Sequence, residues 1–328
     1  PDARVFWVKP SVEFLEKYLK VNHYDVLVTT GPPHSLHLIG LGLKKKFPDL
    51  KWIADFRDPW TEISYYKHLK LTKIADKKHR KLESEVFKNA DITLATSYTD
   101  AENFRKKGAN AFCITNGFDV DASTTLSMTE ENSKTLPLSN STTKFTLSYI
   151  GVLEKLRNPE ILWETLNVLV QENADFKNDF ELKFVGRLDD KILQKIESSA
   201  LKNNLTNLGY QTHDVALKHM QDSTVLLMTN FPQESSKGII PGKIFEYLAT
   251  GKTILSFGPK DADVEKILNE TKAGKHFGYD EKENLKNFIL ESYQNWKSGM
   301  LNQNAENIEQ FSRKNLTQKL VDLMNKWF

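Results

Sequence analysis

Short apolar runs rich in β-branched and aromatic residues alternate with helical patterns along almost the whole chain of 328 residues. Parallel strands need long crossover connections, which are usually helices, so this alternation predicts an α/β fold with parallel sheets covered on both faces. The predicted strands span residues 26–29, 52–56, 92–96, 112–115, 145–150, 182–185, 206–208, 225–229, 253–257 and 274–277. The predicted helices include residues 11–20, 34–46, 72–88, 159–171, 190–202 and 283–297.

The alternation fails between residues 121 and 144, where the sequence is polar and low in complexity. We interpret residues 122–143 as a linker or mobile loop between two Rossmann-like domains at 1–121 and 144–300. A long loop inside one domain is the alternative. Residues 301–328 form a helical pattern with regularly spaced apolar positions, and we expect this segment to pack across the domain junction.

The composition excludes several classes of protein. The 45 basic and 43 acidic residues nearly balance, so nothing calls for a nucleic-acid partner. The single cysteine, Cys113, fits a reducing compartment, and no apolar run approaches the roughly 20 residues of a membrane span. We therefore expect a cytoplasmic protein, while the sequence leaves the oligomeric state open.

Basic clusters occur at residues 44–46, 77–81 and 105–107, on predicted helices of the first domain. One interpretation is a set of solvated helix faces. The other is peripheral contact with anionic lipid at the inner face of the membrane.

The segment 240–252 (Ile-Pro-Gly-Lys-Ile-Phe-Glu-Tyr-Leu-Ala-Thr-Gly-Lys) carries the most specific functional signal. Proline precedes the helical pattern and glycine ends it, which predicts a loop and a short helix between two strands. A glycine-bearing loop that feeds a helix start exposes backbone N–H groups and suits a phosphate. Lys243 adds positive charge there, and the Glu246 carboxylate, one turn further on, could accept hydrogen bonds from sugar hydroxyls. Phosphate and sugar together indicate a nucleotide-sugar site.

Other candidates lie where predicted strands of the second domain end. Gly151 ends one strand and precedes Arg157, whose guanidinium offers bidentate geometry to a diphosphate. Gly186 ends the next strand and Tyr210 follows the one after, where both could frame a base and a ribose. The structural alternative at these positions is an ordinary strand-end glycine or a solvated loop.

In the first domain, His34 stands between a predicted strand and a predicted helix. Its place at the carboxyl end of a strand predicts a catalytic group, and a structural histidine is the alternative. Arg57 and Asp58 follow the next strand. Together with Asp55 they form either an ion network or an acceptor site in which one acid binds a hydroxyl or orients His34. On the second interpretation Asp58 is the catalytic acid and Arg57 an acceptor-side contact. Asn116 lies in a turn signal, and we predict an acceptor-side contact for it.

The motifs of several well-known enzyme classes are absent from the sequence. It contains no Walker A loop, no zinc pattern of Cys and His, no G-x-S-x-G elbow and no adequate G-x-G-x-x-G fingerprint. A dehydrogenase, an NTPase and a hydrolase lose support for this reason. We predict no metal and no cofactor.

Taken in order, six motifs resemble glycosyltransferase family 4. They are Thr-Gly-Pro-Pro-His-Ser, Ala-Asp-Phe-Arg-Asp-Pro-Trp, Asn-Gly-Phe-Asp, Tyr-Ile-Gly, Phe-Val-Gly-Arg and Pro-Gly-Lys-Ile-Phe-Glu-Tyr-Leu-Ala-Thr-Gly-Lys. The resemblance implies a retaining, metal-independent hexosyltransferase of the GT-B fold, whose two Rossmann-like domains face each other across a cleft. It also implies a nucleotide-diphosphate sugar of the UDP or GDP type as the donor substrate. Many family members act in bacterial surface-polysaccharide or glycolipid synthesis, so the implied acceptor is a saccharide or a lipid-linked acceptor.

The same resemblance assigns roles to individual residues. Glu246 matches a glutamate that binds the ribose hydroxyls, Arg157 a basic group on the phosphates, and His34 a histidine that lines the transfer site. The backbone segment that cradles the diphosphate is matched by Gly238, Ile239, Ile240 and Gly242. The family often has a second glutamate eight positions before the first, where this chain has glycine, so Glu234 and Ser235 are the candidates for sugar contacts.

Three functions stay open on the sequence. The first is glycosyl transfer with retention, the second is a sugar-nucleotide epimerase of similar fold, and the third is donor binding without transfer. Family members carry further strands and a glycine-rich loop ahead of the part that matches here. If Pro1 is the native start, we expect an incomplete first domain and a protein that does not transfer sugar.

Overall fold

The computed structural model describes residues 2–63, 66–119, 144–301 and 305–328. The chain forms two compact units, one of Pro1–Asn116 with Asn315–Phe328 and the other of Gly117–Lys314. Each unit is an α/β domain built on an all-parallel sheet, so the predicted fold class is confirmed. The linker predicted at 122–143 lies outside the described residues.

The first unit contains a sheet in which the strands follow one another in sequence order. Its strands are β1 (Val26–Gly31), β2 (Lys51–Phe56), β3 (Ile92–Ala95) and β4 (Ala111–Cys113), paired in the order β1-β2-β3-β4. Its helices are α1 (Val5–Leu19), α2 (His37–Lys46), α3 (Lys73–Asn89) and α4 (Tyr98–Lys106).

The second unit contains a sheet in which the strand order reverses once. Its strands are β5 (Phe145–Ile150), β6 (Phe180–Val185), β7 (Leu205–Asn207), β8 (Val225–Thr229), β9 (Thr253–Phe257) and β10 (Gly274–Phe277). They pair in the order β10-β9-β8-β5-β6-β7. Its helices are α5 (Glu160–Glu172), α6 (Ala174–Asp179), α7 (Asp190–Glu197), α8 (His213–Gln221), α9 (Lys243–Ala249), α10 (Asp263–Thr271) and α11 (Lys282–Lys297).

The last helix, α12 (Arg313–Trp327), belongs almost entirely to the first unit. Leu320, Leu323 and Met324 pack against the sheet residues Ile53 and Ile92. The preceding 3-10 turn, Ile308–Phe311, belongs to the second unit, where the Phe118 N–H donates to the Phe311 carbonyl oxygen at 3.2 Å. The boundary between the two units therefore falls between Lys314 and Asn315.

Three helix boundaries differ from the predictions. The helix predicted at 190–202 ends at Glu197, because the Ser199 hydroxyl accepts from the Leu201 N–H at 3.2 Å and begins a separate 3-10 turn. The helix predicted at 34–46 begins as a 3-10 turn and becomes α-helical at His37. The helix predicted at 11–20 begins at Val5, with Pro10 inside it.

The central strands of each sheet are buried on both faces, whereas the edge strands β1 and β7 are partly exposed. In the second unit all six residues of β5 and all five of β8 are buried. In the first unit Trp52, Phe56 and Phe104 are 0 % exposed and form the core beneath the helices. Within the described ranges, no helix is long and apolar enough to cross a bilayer.

Candidate functional site

The reversal of strand order in the second unit lies between β5 and β8. In open α/β sheets, ligands bind at such a switch point, in the crevice outside the carboxyl ends of the strands. Gly151 follows β5 there, and Asn230 follows β8. The side chains gathered at these two strand ends form the leading candidate site.

Lys243, the first residue of α9, reaches the end of β5. Its Nζ donates to the Ile150 carbonyl oxygen at 3.4 Å and lies 4.1 Å from the centre of the Tyr149 ring. Burial lowers the pKa of this ammonium group, although the residue keeps some exposure to solvent. No carboxylate in the described part of the chain forms an ion pair with it, so its charge is available to an anion.

Arg157, in a 3-10 turn after β5, supplies a second positive charge. Its Nη2 donates to the Val152 carbonyl oxygen at 3.0 Å, and its guanidinium lies 5.4 Å from the centre of the Phe231 ring. Its Nε is buried and has no hydrogen-bond partner among the residues described. The positive charge of the guanidinium group also contributes to the lowered pKa of Lys243, because the two cations repel each other. Glu154, at 3.5 Å from Arg157 Nη2, compensates part of this charge, and a bound anion would reduce the repulsion between the two cations.

Tyr279 connects the surrounding loops. Tyr279 follows β10 in the chain. Its hydroxyl group donates to the Asn230 carbonyl oxygen at 2.5 Å and lies 3.4 Å from the Arg157 carbonyl oxygen. Burial raises the pKa of this phenol, which therefore stays protonated and donates. Tyr279 thus holds the ends of β5 and β8 at a fixed spacing around the two cations.

Two glycines shape the strand ends by different means. Gly186 has φ +127°, and a Cβ there would lie 2.2 Å from the Gly151 carbonyl oxygen. Gly151 has φ +118°, but a Cβ there would meet only Lys243 Nζ, at 4.0 Å. Gly186 is therefore required by the close approach of two backbones, while Gly151 leaves open space in front of Lys243.

The loop before α9 is anchored at its base and exposed at its tip. Asn230 Nδ2 donates to the Ile239 carbonyl oxygen at 2.8 Å. Gly238, Ile239 and Ile240 are half-buried and Gly242 is exposed. Glu234 and Ser235, predicted to contact sugar, lie in an exposed turn of this loop, where Glu234 forms an ion pair with Lys237 at 2.5 Å.

The start of α9 offers fewer open donors than the sequence predicts. The Ile244 and Phe245 N–H groups donate to the Pro241 and Gly242 carbonyl oxygens at 3.0 and 3.2 Å, so a tight first turn already uses them. The positive charge of the Lys243 side chain therefore matters more for an anion than the helix start itself.

The remaining second-unit candidates differ in their exposure. Glu246 is half-buried, and its charge acts on Lys243 and Tyr247. Its carboxylate has no hydrogen bond or ion pair within the described residues, so it is available to hydroxyl groups. Tyr210 follows β7, and its side chain is 87 % exposed, so only a bound ligand would bury it.

His34, in the first unit, is 7 % exposed and lies in an aromatic stack. Its ring centre is 5.5 Å from that of Trp60 and 5.7 Å from that of Phe56. Neither ring nitrogen has a hydrogen-bond partner among the described residues. Burial lowers the pKa of His34 to about 4, against the opposing charges of Asp58 and Asp2. The ring is therefore neutral at pH 7 and can accept a proton or a hydrogen bond.

His37 lies beside His34 and is held by a buried polar chain. Trp52 Nε1 donates to the Thr29 hydroxyl at 2.9 Å, and that hydroxyl lies 3.0 Å from His37 Nδ1. Burial lowers the pKa of His37 to about 3. A Cβ on Gly31 would lie 2.8 Å from His37 Nε2 and 3.2 Å from His34 Nδ1. The missing side chain at Gly31 therefore leaves room for both histidine rings.

The other first-unit candidates do not form the ion network that the sequence allows. Asp55 accepts from the Thr30 hydroxyl at 3.0 Å, and burial raises its pKa. Arg57 and Asp58 are exposed, and neither pairs with Asp55 in the described ranges. Asn116 is exposed and is the last residue of the first unit before the chain enters the second.

Acidification should destabilise the fold through the two buried histidines. The unfolded chain binds their protons near pH 6.5, whereas His34 in the folded protein does so only near pH 4, so the free energy of unfolding falls as the pH drops between these values. The slope contributed by each buried histidine is at most about 1.4 kcal/mol per pH unit.

Urea unfolding of the His34→Gln variant at several pH values measures this contribution. Its loss of stability on acidification should be smaller than that of the parent. His23→Gln is the matched control, because the His23 side chain is 91 % exposed and should leave the slope unchanged. Equal slopes for all three proteins would show that His34 titrates normally.

Sequence reasoning did not select Tyr149, Asn230, Tyr279 or His37. The strand-end rule could have found Asn230, which directly follows a predicted strand. His37 stands three residues after His34, which places it on the same helix face. Tyr279 carries no local signal, since its role depends on a contact with a residue 122 positions away.

Comparisons with known proteins reveal a shared fold. No protein-family model matches the chain, and no curated protein matches its sequence significantly. A glycosyltransferase from Rickettsia africae matches with a TM-score of 0.66 and 13 % identity, over 99 % of this chain and 83 % of that one. Anabaena HepE in complex with UDP-glucose matches at 0.61 and 16 %, over 96 % and 82 %. A putative UDP-N-acetylglucosamine 2-epimerase from Listeria monocytogenes matches at 0.52 and 13 %, over 97 % and 78 %. The likeness establishes two parallel-sheet Rossmann-like domains of the GT-B type.

Proposed function

We propose that this protein is a glycosyltransferase that moves a hexosyl group from a nucleotide-diphosphate sugar to a hydroxyl acceptor. Anomeric configuration is retained, no metal ion takes part, and the product belongs to cell-surface polysaccharide or glycolipid synthesis. The observation that carries the proposal is the position of two cations at the switch point of the second sheet, where Lys243 donates to the Ile150 carbonyl oxygen and Arg157 to the Val152 carbonyl oxygen. The fold shared with HepE, whose structure contains UDP-glucose, supports it.

The two cations have a chemical task in such a reaction. When the glycosidic bond to the donor breaks, negative charge develops on the departing diphosphate. Positive groups already in place stabilise that charge without reorganisation, and removing one such group typically raises the barrier by roughly 3 kcal/mol. We assign this role to Arg157 and Lys243, with neutral His34 on the acceptor side.

A nucleotide screen tests the proposal directly. UDP, GDP, UMP, GMP and inorganic diphosphate are compared by thermal shift at equal concentration. A ligand at 100 times its dissociation constant stabilises the folded state by about 2.7 kcal/mol, which is readily measured. We expect one nucleoside diphosphate to stabilise the protein more than its monophosphate does, and stabilisation by none would refute the assignment.

Replacement of Glu246 by alanine should lower the affinity for the preferred nucleoside diphosphate. The loss of a hydrogen bond to a charged group costs about 1.5–3 kcal/mol, which corresponds to a roughly 10- to 100-fold larger dissociation constant. Isothermal titration calorimetry with the nucleotide and its 2′-deoxy and 3′-deoxy analogues measures the effect. If Glu246 binds the ribose hydroxyls, the penalty of the substitution should shrink for the analogue that lacks the contacted hydroxyl.

Glu270→Ala serves as the matched control, since Glu270 is an exposed acid on α10 and should leave the affinity unchanged. An equal penalty with the nucleotide and with both analogues would remove Glu246 from the ribose site.

An epimerase is the second candidate, because the fold is also that of the Listeria epimerase. The two activities differ in their need for an acceptor. Incubation of the preferred sugar nucleotide with the protein alone would convert it to an epimer if the protein is an epimerase. Transfer requires an added saccharide or lipid-linked acceptor, and binding without any turnover would indicate a donor-binding protein.

A further inference from the structure

The beginning of α3 and the turn before it form a strongly basic surface that the proposed function does not use. Residues 67–81 contain seven Lys or Arg residues and one acid, Asp76. Asp76 is already paired with Arg80 at 3.0 Å. The remaining cations that are exposed and form no ion pair among the described residues are Lys70, Lys73, Lys77 and Lys78.

Two apolar side chains lie within the same stretch. Ile74 is 84 % exposed and Leu69 is 49 % exposed, and both are surrounded by these lysines in sequence. Exposed apolar side chains among unpaired cations match the interfacial region of a bilayer, where apolar groups enter the acyl boundary and cations meet phosphate headgroups. We call residues 69–78 the basic surface.

We propose that the basic surface docks on a membrane that carries anionic phospholipid headgroups. The charge of the surface is complementary to that of the headgroups, and each lysine adds to the attraction. A soluble polyanion would satisfy the lysines but would leave Ile74 and Leu69 in water. The lipid surface is therefore the partner that uses the whole set of side chains.

The position of the surface links it to His34. Trp60 Nε1 donates to Nδ1 of His79, five residues after Ile74 on α3, at 3.0 Å, and the same Trp60 ring stacks on His34. Tyr66, just ahead of the surface, donates to Asp76 at 3.0 Å. A protein docked through the basic surface would hold His34 in the same unit as the lipid contact, connected to α3 through the Trp60 ring. This consequence rests on the proposed acceptor-side role of His34, whereas the docking itself does not.

Vesicle flotation tests the proposal on the full chain. Vesicles of phosphatidylcholine, with or without phosphatidylglycerol, are mixed with the protein at low and at high salt. We expect the protein to float only with the anionic vesicles and less at high salt, because salt screens exposed charges. A Lys73→Glu/Lys77→Glu variant should bind roughly tenfold or more weakly. Ile74→Ser should weaken binding roughly fivefold at unchanged charge.

Two control variants test whether binding depends on the basic surface or only on the total charge and on any exposed apolar side chain. Lys191→Glu/Lys202→Glu makes the same charge change on exposed lysines of the second unit, and Phe14→Ser removes an exposed aromatic that lies between Glu13 and Glu16. Both should float like the parent. Equal losses in the control pair, unchanged binding of the Lys73/Lys77 variant, or binding to heparin but not to anionic vesicles would each overturn the proposal. Nucleotide affinity, measured on the same variants, tests the proposed function separately.

Discussion

Replacing Lys243 with methionine should weaken the binding of the preferred nucleoside diphosphate roughly 10- to 100-fold. The estimate follows from the value of one hydrogen bond to a charged group, about 1.5–3 kcal/mol. Methionine keeps most of the length of the side chain and its contact with the Tyr149 ring, while it removes the positive charge. Calorimetric titration of the nucleotide measures the change.

Lys252→Met provides the matched control for this substitution. Lys252 follows the same helix at its other end, and burial lowers its pKa as it does that of Lys243. It lies away from the strand ends of β5 and β8, so its replacement should leave the nucleotide affinity unchanged. If both variants bind like the parent, the anion site is not at the switch point.

The Gly186→Ala variant should lose about 3 kcal/mol or more of folding free energy. Its Cβ would approach the Gly151 carbonyl oxygen to 2.2 Å, and φ +127° is a backbone conformation that side chains rarely adopt. Each of these effects costs on the order of 1–3 kcal/mol by itself. The strain falls on the adjacent ends of β5 and β6, so nucleotide binding should also be lost.

Gly209→Ala separates backbone strain from the clash. Gly209 has φ +63°, but a Cβ there would meet nothing within 4 Å, so we expect a cost of only about 1 kcal/mol. Hydrogen–deuterium exchange followed by mass spectrometry measures both variants. Peptides of β5 and β6 should exchange faster in Gly186→Ala while those of β1 and β2 stay protected. Similar exchange in the two variants would contradict the clash.

The strands were predictable because burial on both faces of a parallel sheet makes each one a short apolar run. Val225–Thr229 is an example, with all five residues buried. The same logic located Gly151, Arg157 and Lys243, since strand ends and the residues that follow them meet at one edge of the sheet.

The rest of the site depends on contacts that no local pattern encodes. Tyr279 joins the cluster through hydrogen bonds to loops 49 and 122 positions away. The alternatives for Asp55 could not be separated by sequence either, because its partner is the Thr30 hydroxyl of a neighbouring strand. The sequence alone does not reveal that His34 is buried and Asp58 is exposed. Burial is what keeps the His34 ring neutral.

The course of the chain through the two units affects how the protein is made on the ribosome. The first unit takes its last helix from the end of the chain, after the whole second unit has been synthesised. Ile53 and Ile92 therefore lack their contacts with Leu320 and Leu323 while roughly 200 further residues are added, which takes on the order of 10–40 s at typical synthesis rates. During that interval the nascent first unit presents an apolar sheet face that chaperones can bind. The second unit, which is continuous in sequence, can fold as soon as it emerges.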